Sequence, residues 1–344
     1  MTEEPADSSN LRGGRKTRSA VTIYDLAQHL NLSPSTVSRA LNKPGRISAK
    51  TEARIREAAK QLGYRRNPLA GALPTGKTRI VALVISDFSN PAYFEYVRGA
   101  EKVASQLGYT LVFTESQESP ETEINAVQQL QTSADGILLV ASRLSDSDIQ
   151  ELAETKPLVV SNRHVAGVAS VAPEVAPGLR QAVEHLHGLG HRYVGYLSGP
   201  PASWMNRHRW NLVLNECVSL GISIVEVPTE APTHDSGARA IDRIRASGVT
   251  AVLAYNDLMA LGLLKECQRQ GVAVPDELSL IGFDNIYGAE LTTPALTTVQ
   301  NPLHAVGEAA MLQLLKEIGD EAGNGQGSLA TQLVVRESTS SPRL

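Results

Sequence analysis

The spacing of apolar residues divides the chain into two parts with different periodicities. In residues 20–63 the apolar positions recur at helical spacing, as in Ile23, Leu26 and Leu30, and three short helices are predicted there. After Arg79, short apolar runs alternate with helical patterns, which is typical of a parallel, doubly wound α/β sheet. The pattern therefore predicts a small all-α unit followed by an α/β body.

Capping residues mark where the three N-terminal helices begin. Thr22 precedes the first helix, and Asp25 stands three residues later, as in a capping box. Ser33 caps the second helix, whose first residue is Pro34, a position where the missing N–H of proline costs nothing. Ser48 caps the third helix. Three helices with a short turn between the first two form the layout of a helix-turn-helix.

The α/β body contains more strand patterns than one sheet of this type needs. Strands are predicted to start at Arg79, Tyr109, Gly136, Pro157, Arg192, Ser223, Val249 and Leu278. Helical patterns between or after them include Ala92–Leu107, Ile124–Gln131, Leu179–Leu189, Asp257–Gln270 and Leu303–Ile318. We therefore expect two lobes of similar size with a cleft between them, and a ligand at the carboxyl ends of the strands.

Charge is distributed unevenly along the 344 residues, although the net charge is only −4. Residues 1–79 contain 15 Lys and Arg against 6 Asp and Glu, a net charge of +9, whereas the remaining 265 contain 17 against 30, a net charge of −13. A basic module on an acidic body indicates that the small module meets a polyanion. The basic residues Arg12, Arg15, Lys16 and Arg18 belong either to a solvated tail or to an arm that touches DNA phosphates.

Other features of the composition exclude several classes of protein. Two cysteines, Cys217 and Cys267, make neither a disulfide framework nor a thiolate metal site, and they suit a reducing cytoplasm. No apolar run approaches a membrane span, and the acidic, polar N-terminus does not resemble a secretory signal. We therefore expect a cytoplasmic location without a membrane partner.

The second helix carries the side chains expected to recognise DNA. A helix with small residues at its N-terminus can enter the major groove closely, and Arg39 can then donate a pair of hydrogen bonds to guanine. The residues expected to contact bases or phosphates from this helix and its turn are Ser33, Pro34, Ser35, Thr36, Ser38, Arg39 and Asn42, with Thr22 and Asn67 beside them. The alternative is an ordinary helical bundle with a solvated basic face.

Several segments, in the same order along the chain, resemble the lactose/galactose repressor (LacI/GalR) family. They are TVSRALN at 36–42, LGYRRNPLAGAL at 62–73, DGILLV at 135–140, HLHGLGHRYVGYLSGP at 185–200, AYNDLMALGLL at 254–264, DELSLIGFDN at 276–285 and LTTVQNP at 296–302. The resemblance implies an all-α helix-turn-helix headpiece on an α/β periplasmic-binding-protein-like body with two lobes and parallel sheets. It also implies a homodimer that binds double-stranded operator DNA and responds to a small-molecule effector.

The resemblance assigns roles to the parts of the chain. They are a disordered basic tail at 1–19, the DNA-binding domain at 20–63, a hinge linker at 64–78 and an effector-binding and dimerisation domain at 79–340. The first lobe is expected at about 79–162 and 292–322, and the second at about 163–291 and 323–340. In the hinge, Ala70 and Leu73 match the residues that enter the minor groove in the family, where apolar side chains open a base step. Gly71 departs from the family pattern and weakens the expected hinge helix, because glycine costs about 1 kcal/mol against alanine inside a helix.

The effector cleft receives its candidate residues partly from the resemblance. Arg209, Asn256 and Asp284 match residues that bind sugar hydroxyls in the family, and their donor and acceptor groups suit that task. The other candidates are Phe88 and Trp204, which are suited to pack on the apolar face of a sugar, together with Asn90 and Glu174. Glu174 departs from the aspartate usual at that position. A nucleoside or purine effector, and co-repression instead of induction, remain alternatives.

Two other functions, those of a solute-binding protein and of an ATPase, are weighed against that of a regulator, and we expect no catalytic residue, metal or cofactor. A solute-binding protein of transport shares the two-lobed body but lacks a basic head. GALPTGKT at 71–78 matches the phosphate-loop pattern of ATPases, but a strand follows it where that mechanism needs a helix. His185, His187 and His191 suggest a metal site, but the first two point to nearly opposite helix faces. No setting for a serine nucleophile is apparent.

Overall fold

The structure is a computed structural model, and the chain divides in it into two compact units, Met1–Thr75 and Gly76–Leu344. It describes residues 21–42, 45–64, 76–320, 323 and 327–343, with the side chain of Asn42 left out. The predicted tail at 1–19 and most of the predicted linker at 64–78 lie outside the described residues.

The first unit contains the three predicted helices. They are α1 (Ile23–Leu30), α2 (Pro34–Asn42) and α3 (Ala49–Gln61). The capping box of Thr22 and Asp25 is present, and the Ser33 and Ser48 hydroxyls each accept the N–H three residues later. Fully buried apolar side chains from all three helices form one core. The predicted helix starts are therefore confirmed.

The second unit is an α/β body with two sheets. Its strands are β1 (Ile80–Ile85), β2 (Thr110–Glu115), β3 (Gly136–Val140), β4 (Leu158–Ser161), β5 (Ser170–Val171), β6 (Tyr193–Leu197), β7 (Ser223–Val227), β8 (Ala251–Ala254), β9 (Ser279–Asp284), β10 (Thr297–Gln300) and β11 (Gln332–Val334). Its helices are α4 (Ala92–Gln106), α5 (Pro120–Leu130), α6 (Asp146–Thr155), α7 (Ala176–Gly188), α8 (Trp204–Ser219), α9 (His234–Arg239), α10 (Ile241–Ala246), α11 (Asp257–Gln270), α12 (Gly288–Leu291) and α13 (Leu303–Glu317).

Each sheet forms the centre of one lobe. The strand order is β2-β1-β3-β4-β5 in the first sheet and β11-β10-β9-β8-β6-β7 in the second. All neighbouring strands are parallel except β10 and β11. The central strands β1, β3 and β8 are almost wholly apolar and buried, as expected for parallel strands covered by helices on both faces. The predicted two-lobed fold is thus confirmed.

The borders between the lobes differ from those predicted at two places. Residues 170–171 pair with β4 and belong to the first sheet, although the segment from 163 onward was assigned to the second lobe. Residues 297–300 pair with β9 in the second sheet, although 292–322 was assigned to the first lobe. The chain crosses between the lobes after β5, after β10 and again between α13 and β11. A two-residue strand such as β5 leaves no periodicity to detect.

The helices α4 and α13 cross closely over the first sheet. A Cβ on Gly99 would lie 2.0 Å from the His304 carbonyl oxygen, and one on Gly307 would lie 2.2 Å from that of Tyr96. Glycine is therefore required at both positions, because any side chain would push the two backbones apart. The contact attaches α13 to the first lobe, so that the preceding crossover residue Asn301 stands at the border of both lobes.

Candidate functional site

The exposed face of α2 carries short hydroxyl side chains and one arginine. Val37 and Ala40 are fully buried and orient the helix, while Pro34, Ser35 and Arg39 are exposed. The Ser33 hydroxyl lies 2.7 Å from that of Thr36 and 3.0 Å from that of Ser35. Ser38 is half-buried. The N-terminal turn of α2 thus combines small polar groups with a long cationic side chain, which suits insertion into a DNA groove.

The other predicted DNA contacts belong either to a helix cap or to parts of the chain that the structure does not describe. The Thr22 hydroxyl is engaged in the cap of α1, and hydrogen bonds from the Thr22 backbone N–H and then from its hydroxyl lower the pKa of the Asp25 carboxyl. The side chain of Asn42, and all of Asn67, Ala70, Gly71 and Leu73, lie outside the described residues, as do the basic residues of the tail. Tyr24, which the sequence analysis did not single out, is 70% exposed on α1.

A polar cleft lies between the two lobes of the second unit, at the carboxyl ends of strands from both sheets. Its volume is about 500 Å³, part of it open to solvent. The lining residues are Asp87, Asn90, Ala92, Tyr93, Glu118, Ala141, Arg143, Asn162, Met205, Arg209, Pro232, Tyr255, Asn256, Asp284, Asn301 and Leu303. Ligands of open α/β sheets bind at this edge, because loops from several strands converge there.

Arg209 and Asp284 form the electrostatic centre of the cleft wall in the second lobe. The Arg209 Nη1 donates to the Tyr255 carbonyl at 2.6 Å, and Nη2 lies 3.9 Å from the Asp284 Oδ1. The guanidinium also stacks over the Phe283 ring at 3.4 Å. Burial raises the pKa of Asp284, while Arg209 and hydrogen bonds from Asn301 and Asn90 oppose that rise. A rigid cation thus lies beside a carboxylate that retains acceptor capacity.

Buried polar atoms without a hydrogen-bond partner concentrate at this cleft. The described residues contain six such side-chain atoms, and three of them belong to lining residues: Asn162 Oδ1, Arg209 Nε and Asn301 Oδ1. Buried polar groups normally have partners, because an unmet donor or acceptor costs about 1–3 kcal/mol. A ligand with hydroxyl groups would satisfy both kinds of atom, since a hydroxyl donates and accepts.

Left-handed backbone conformations also cluster around the cleft. Glu118, Ala141, Asn162 and Asp284 all line it, and each has a positive φ, from 54° at Ala141 to 110° at Asp284. Such conformations are unfavourable for residues other than glycine and concentrate at functional sites, where the surrounding structure enforces them. They aim the side chains that follow each strand into the cleft.

Four of the predicted effector residues are brought together here: Asn90, Arg209, Asn256 and Asp284. Asn90 uses its Oδ1 to accept the Ala92 N–H at 3.0 Å and hydrogen-bonds to Asp284. Asn256, however, is the N-cap of α11. Its Oδ1 accepts the Met259 N–H and its Nδ2 donates to the Pro232 carbonyl, each at 2.9 Å, so its amide is already occupied.

The other three predicted effector residues do not line the cleft. Phe88 stacks on Phe113 with the ring centroids 4.9 Å apart. Trp204 stacks on His208 at 4.8 Å and meets the edge of His164 from the other lobe.

Glu174 lies in a crossover between the lobes. Its backbone bridges Leu329 and Thr331 while its side chain is exposed. The structure thus differs from the expected contacts. Phe88 and Trp204 pack on aromatic neighbours, and Glu174 pairs through its backbone with another crossover segment.

Several lining residues were missed by the sequence analysis. Glu118 and Arg143 form an ion pair at 2.5 Å, Tyr93 and Tyr255 contribute hydroxyls, and Asn301 donates its Nδ2 to Asp284 at 3.3 Å. Burial raises the pKa of Tyr93, which therefore stays a hydroxyl donor. All of them except Tyr93 follow the end of a strand, so applying the strand-end rule to every predicted strand would have found most of them.

The remaining sequence signals have structural partners. Lys77 and Thr78, from the phosphate-loop match, bind the carboxylates of Asp320 and Asp135 and lead directly into β1. His185 contacts Thr339, and His191 lies between Thr250 and the Ser340 carbonyl. In the described part of the chain, no cluster of His, Cys, Asp and Glu is arranged to hold a metal, and no helix is long and apolar enough to cross a membrane.

Two protein families match separate parts of the sequence. Residues 22–67 match the family described as bacterial regulatory proteins, lacI family, and residues 183–339 match a periplasmic binding protein-like domain. The first match covers the described helices α1 to α3, and the second covers most of the second lobe together with α13. The predicted combination of a helix-turn-helix with a two-lobed body is confirmed.

Relatives and solved structures resemble the chain over almost its whole length. The HTH-type transcriptional repressor CytR of Escherichia coli is 30% identical over 334 residues, which are 94% of this chain and 98% of the relative. The ribose operon repressor of Halalkalibacterium halodurans is 32% identical over 92% of this chain and 97% of its own length. The lac repressor dimer bound to operator and an anti-inducer superposes with a TM-score of 0.83 at 26% identity, covering 93% of this chain and 99% of that one.

These matches extend from the headpiece through both lobes, in the order in which the sequence presents them. The chain belongs to the lacI family of bacterial regulatory proteins.

Proposed function

We propose that the protein is a transcriptional repressor that binds operator DNA through α2 as a homodimer, and whose affinity for DNA changes when a small sugar-like effector occupies the cleft. The observation that carries the effector half is the set of three unpartnered buried polar atoms on lining residues of the cleft. Both relatives described above are named repressors, and one of them is named for ribose.

The chemistry of the cleft favours an uncharged ligand rich in hydroxyls. Two arginines, Arg143 and Arg209, face three carboxylates, Asp87, Glu118 and Asp284, so the lining carries no excess of positive charge for a phosphate. One neighbour by structure is a complex of the regulator CelR with cellobiose, at a TM-score of 0.68. Ribose and cellobiose are therefore the first probes to use.

The DNA half of the proposal is tested by binding fragments of the source genome to the full-length protein. We expect retention of a few pseudo-palindromic sites, with affinity that falls steeply as salt rises, because lysines and arginines displace counterions from the phosphates. Equal retention of all fragments at every salt concentration would contradict sequence-specific recognition.

The effector half is tested by thermal shift with pentoses, hexoses, disaccharides and nucleosides. A ligand that binds only the folded state raises the melting temperature by mass action, by about 2.7 kcal/mol of stability at 100 times its Kd. We expect a sugar to give the largest shift and to change operator affinity, in either direction. A shift confined to nucleosides would replace the sugar by a nucleoside.

An exposed aromatic patch supports the proposed homodimer. Phe94 and Phe113 are 49% and 52% exposed, Phe88 packs against both, and Phe113 lies on the edge strand β2. Tyr287 is also exposed in the second lobe. Contiguous apolar patches mark interfaces more often than single exposed apolar residues do, and aromatic residues are enriched in protein interfaces. We assign this aromatic patch to contact with a second copy of the chain.

Phe113→Asp is expected to weaken the dimer. Placing an unpaired charge in a desolvated contact costs about 2 kcal/mol or more, which raises the Kd of the dimer roughly 30-fold. Sedimentation of the full-length protein over a range of concentrations measures the change.

Val218→Asp is the matched control, because Val218 is 67% exposed on α8 and lies outside the aromatic patch. Equal dimerisation of the wild type and of both variants would show that the patch is not the interface.

We also propose that the protein acts in the bacterial cytoplasm, where its DNA target is, and that its cleft binds an effector without transforming it. The resemblance to DNA-binding repressors supports both statements. Recovery of the unchanged sugar after prolonged incubation with the protein tests the second, and a converted product would contradict it.

A further inference from the structure

Asp257 is a buried carboxyl group behind the cleft wall that joins three elements. It is the first residue of α11 and is fully buried, whereas the helix cap itself is Asn256. Its Oδ1 accepts the Thr298 hydroxyl from β10 at 2.6 Å, and its Oδ2 accepts the Ile286 N–H from the segment after β9 at 2.8 Å. Asp257 thus ties α11 and β10 to the loop that begins with Asp284.

That loop holds an unfavourable backbone conformation. Asp284 has a φ of 110° and Asn285 a φ of 59°, so two successive residues other than glycine are left-handed. Such a conformation persists only where neighbours enforce it. Asp257 holds Ile286 at the end of the pair, and Arg336 donates to the Asn285 Oδ1 at 2.7 Å.

The space for the Asp257 carboxyl is made by a glycine in the neighbouring strand. Gly282 stands two residues before Asp284, and a Cβ on Gly282 would lie only 2.0 Å from the Asp257 Oδ1. Any residue other than glycine at position 282 would collide with the Asp257 carboxyl. The carboxyl therefore has a fixed place behind the loop, and it is fully buried.

The contact between Asp257 and the loop of Asp284 depends on whether the Asp257 carboxyl is protonated. Burial, followed by the nearby Asp284, raises the pKa of Asp257 to about 8, although Thr298, the Ile286 N–H and Arg336 oppose the rise. Asp284 from β9 and Arg336 from the C-terminal segment are the charged groups that act on it. Ionisation of Asp257 therefore places a second negative charge beside Asp284 at a buried position.

We propose that Asp257 is a positioning residue for effector recognition, which holds the loop of Asp284 in its left-handed conformation and thereby directs the Asp284 carboxylate into the cleft. The proposal rests on the proposed function only in taking the cleft as the effector site. Asp257 acts through Asp284 and does not itself line the cleft.

Hydrogen exchange of the full-length protein without effector tests the proposal. The measurement is the protection of the peptide containing residues 284–286, corrected for the intrinsic exchange rate, between pH 5 and 9.5. When the loop opens, Asp257 returns to its ordinary acidic pKa, so the closed form binds more protons than the open one at intermediate pH. As the pH rises towards 8, protection should therefore fall by up to about tenfold per pH unit, and above pH 8 it should level off.

Two variants separate positioning from a general loss of stability. Asp257→Asn cannot ionise and should lose the slope that extends up to pH 8, leaving only the contribution of Asp284, whose pKa burial also raises. Thr298→Val removes a donor that favours the ionised carboxylate, so the pH at which protection levels off should rise. Asp235→Asn, which changes a carboxylate with an 81% exposed side chain, should leave the profile of the wild type unchanged.

The outcomes distinguish this proposal from the proposed function. An unchanged pH profile in Asp257→Asn, or a flat profile in the wild type, would overturn the role of Asp257 whichever sugars bind. A wild-type protein that shows the expected exchange profile but ignores every sugar and nucleoside would overturn the effector proposal and leave the hold on the loop standing.

Discussion

Arg39→Ala is expected to weaken operator binding and to relax the preference for one base pair in each half-site. Arg39 is exposed on α2, and the buried residues Val37 and Ala40 fix the opposite side of that helix in the headpiece core. A bidentate contact between arginine and guanine contributes about 1–3 kcal/mol of discrimination, which is roughly a 5- to 150-fold change in affinity. Fluorescence anisotropy with the operator and with single-base variants of it measures both effects.

Arg56→Ala is the matched control for the loss of one positive charge. Arg56 is half-exposed on α3 and pairs with Glu52 on the same helix. If the two variants weaken binding to all DNA sequences to the same extent, the contribution of Arg39 is a phosphate contact and not base readout. The melting temperature of each variant should stay close to that of the wild type, since neither side chain is in the core.

The headpiece could be predicted from the sequence because its signals are local. A capping residue precedes each helix and accepts the N–H three residues later, and each apolar stripe is short and regular. The same holds for α11, whose predicted bounds Asp257–Gln270 agree with the structure. Where a single segment decides its own conformation, pattern and propensity are sufficient.

The lobe borders and part of the cleft could not be predicted, because they depend on contacts distant in sequence. Whether residues 297–300 join the first or second sheet depends on pairing with β9, and no local pattern encodes that choice. Phe88 follows a strand end like a cleft residue, but stacking on Phe113 draws its ring away. Asn256 has the right type for a ligand contact, but capping α11 uses its amide.

Asp284→Ala is expected to lose most of the response to effector at concentrations near the wild-type half-maximum, while operator binding without effector is retained. The Asp284 carboxylate is 8% exposed, lies beside Arg209 and accepts from Asn301. A hydrogen bond to a charged group contributes about 1.5–3 kcal/mol, so effector affinity should fall roughly 10- to 150-fold. Operator binding should persist, because the headpiece has its own core.

Asp284→Asn separates the loss of charge from distortion of the backbone. Asparagine tolerates the left-handed conformation better than alanine does, and it keeps the size of the side chain. If recognition depends on the carboxylate, both variants lose effector binding in calorimetry with the sugar found by thermal shift, and both retain operator binding. Loss of operator binding in Asp284→Asn would instead show that Asp284 maintains the fold of the second lobe, because nothing but its charge would have been removed.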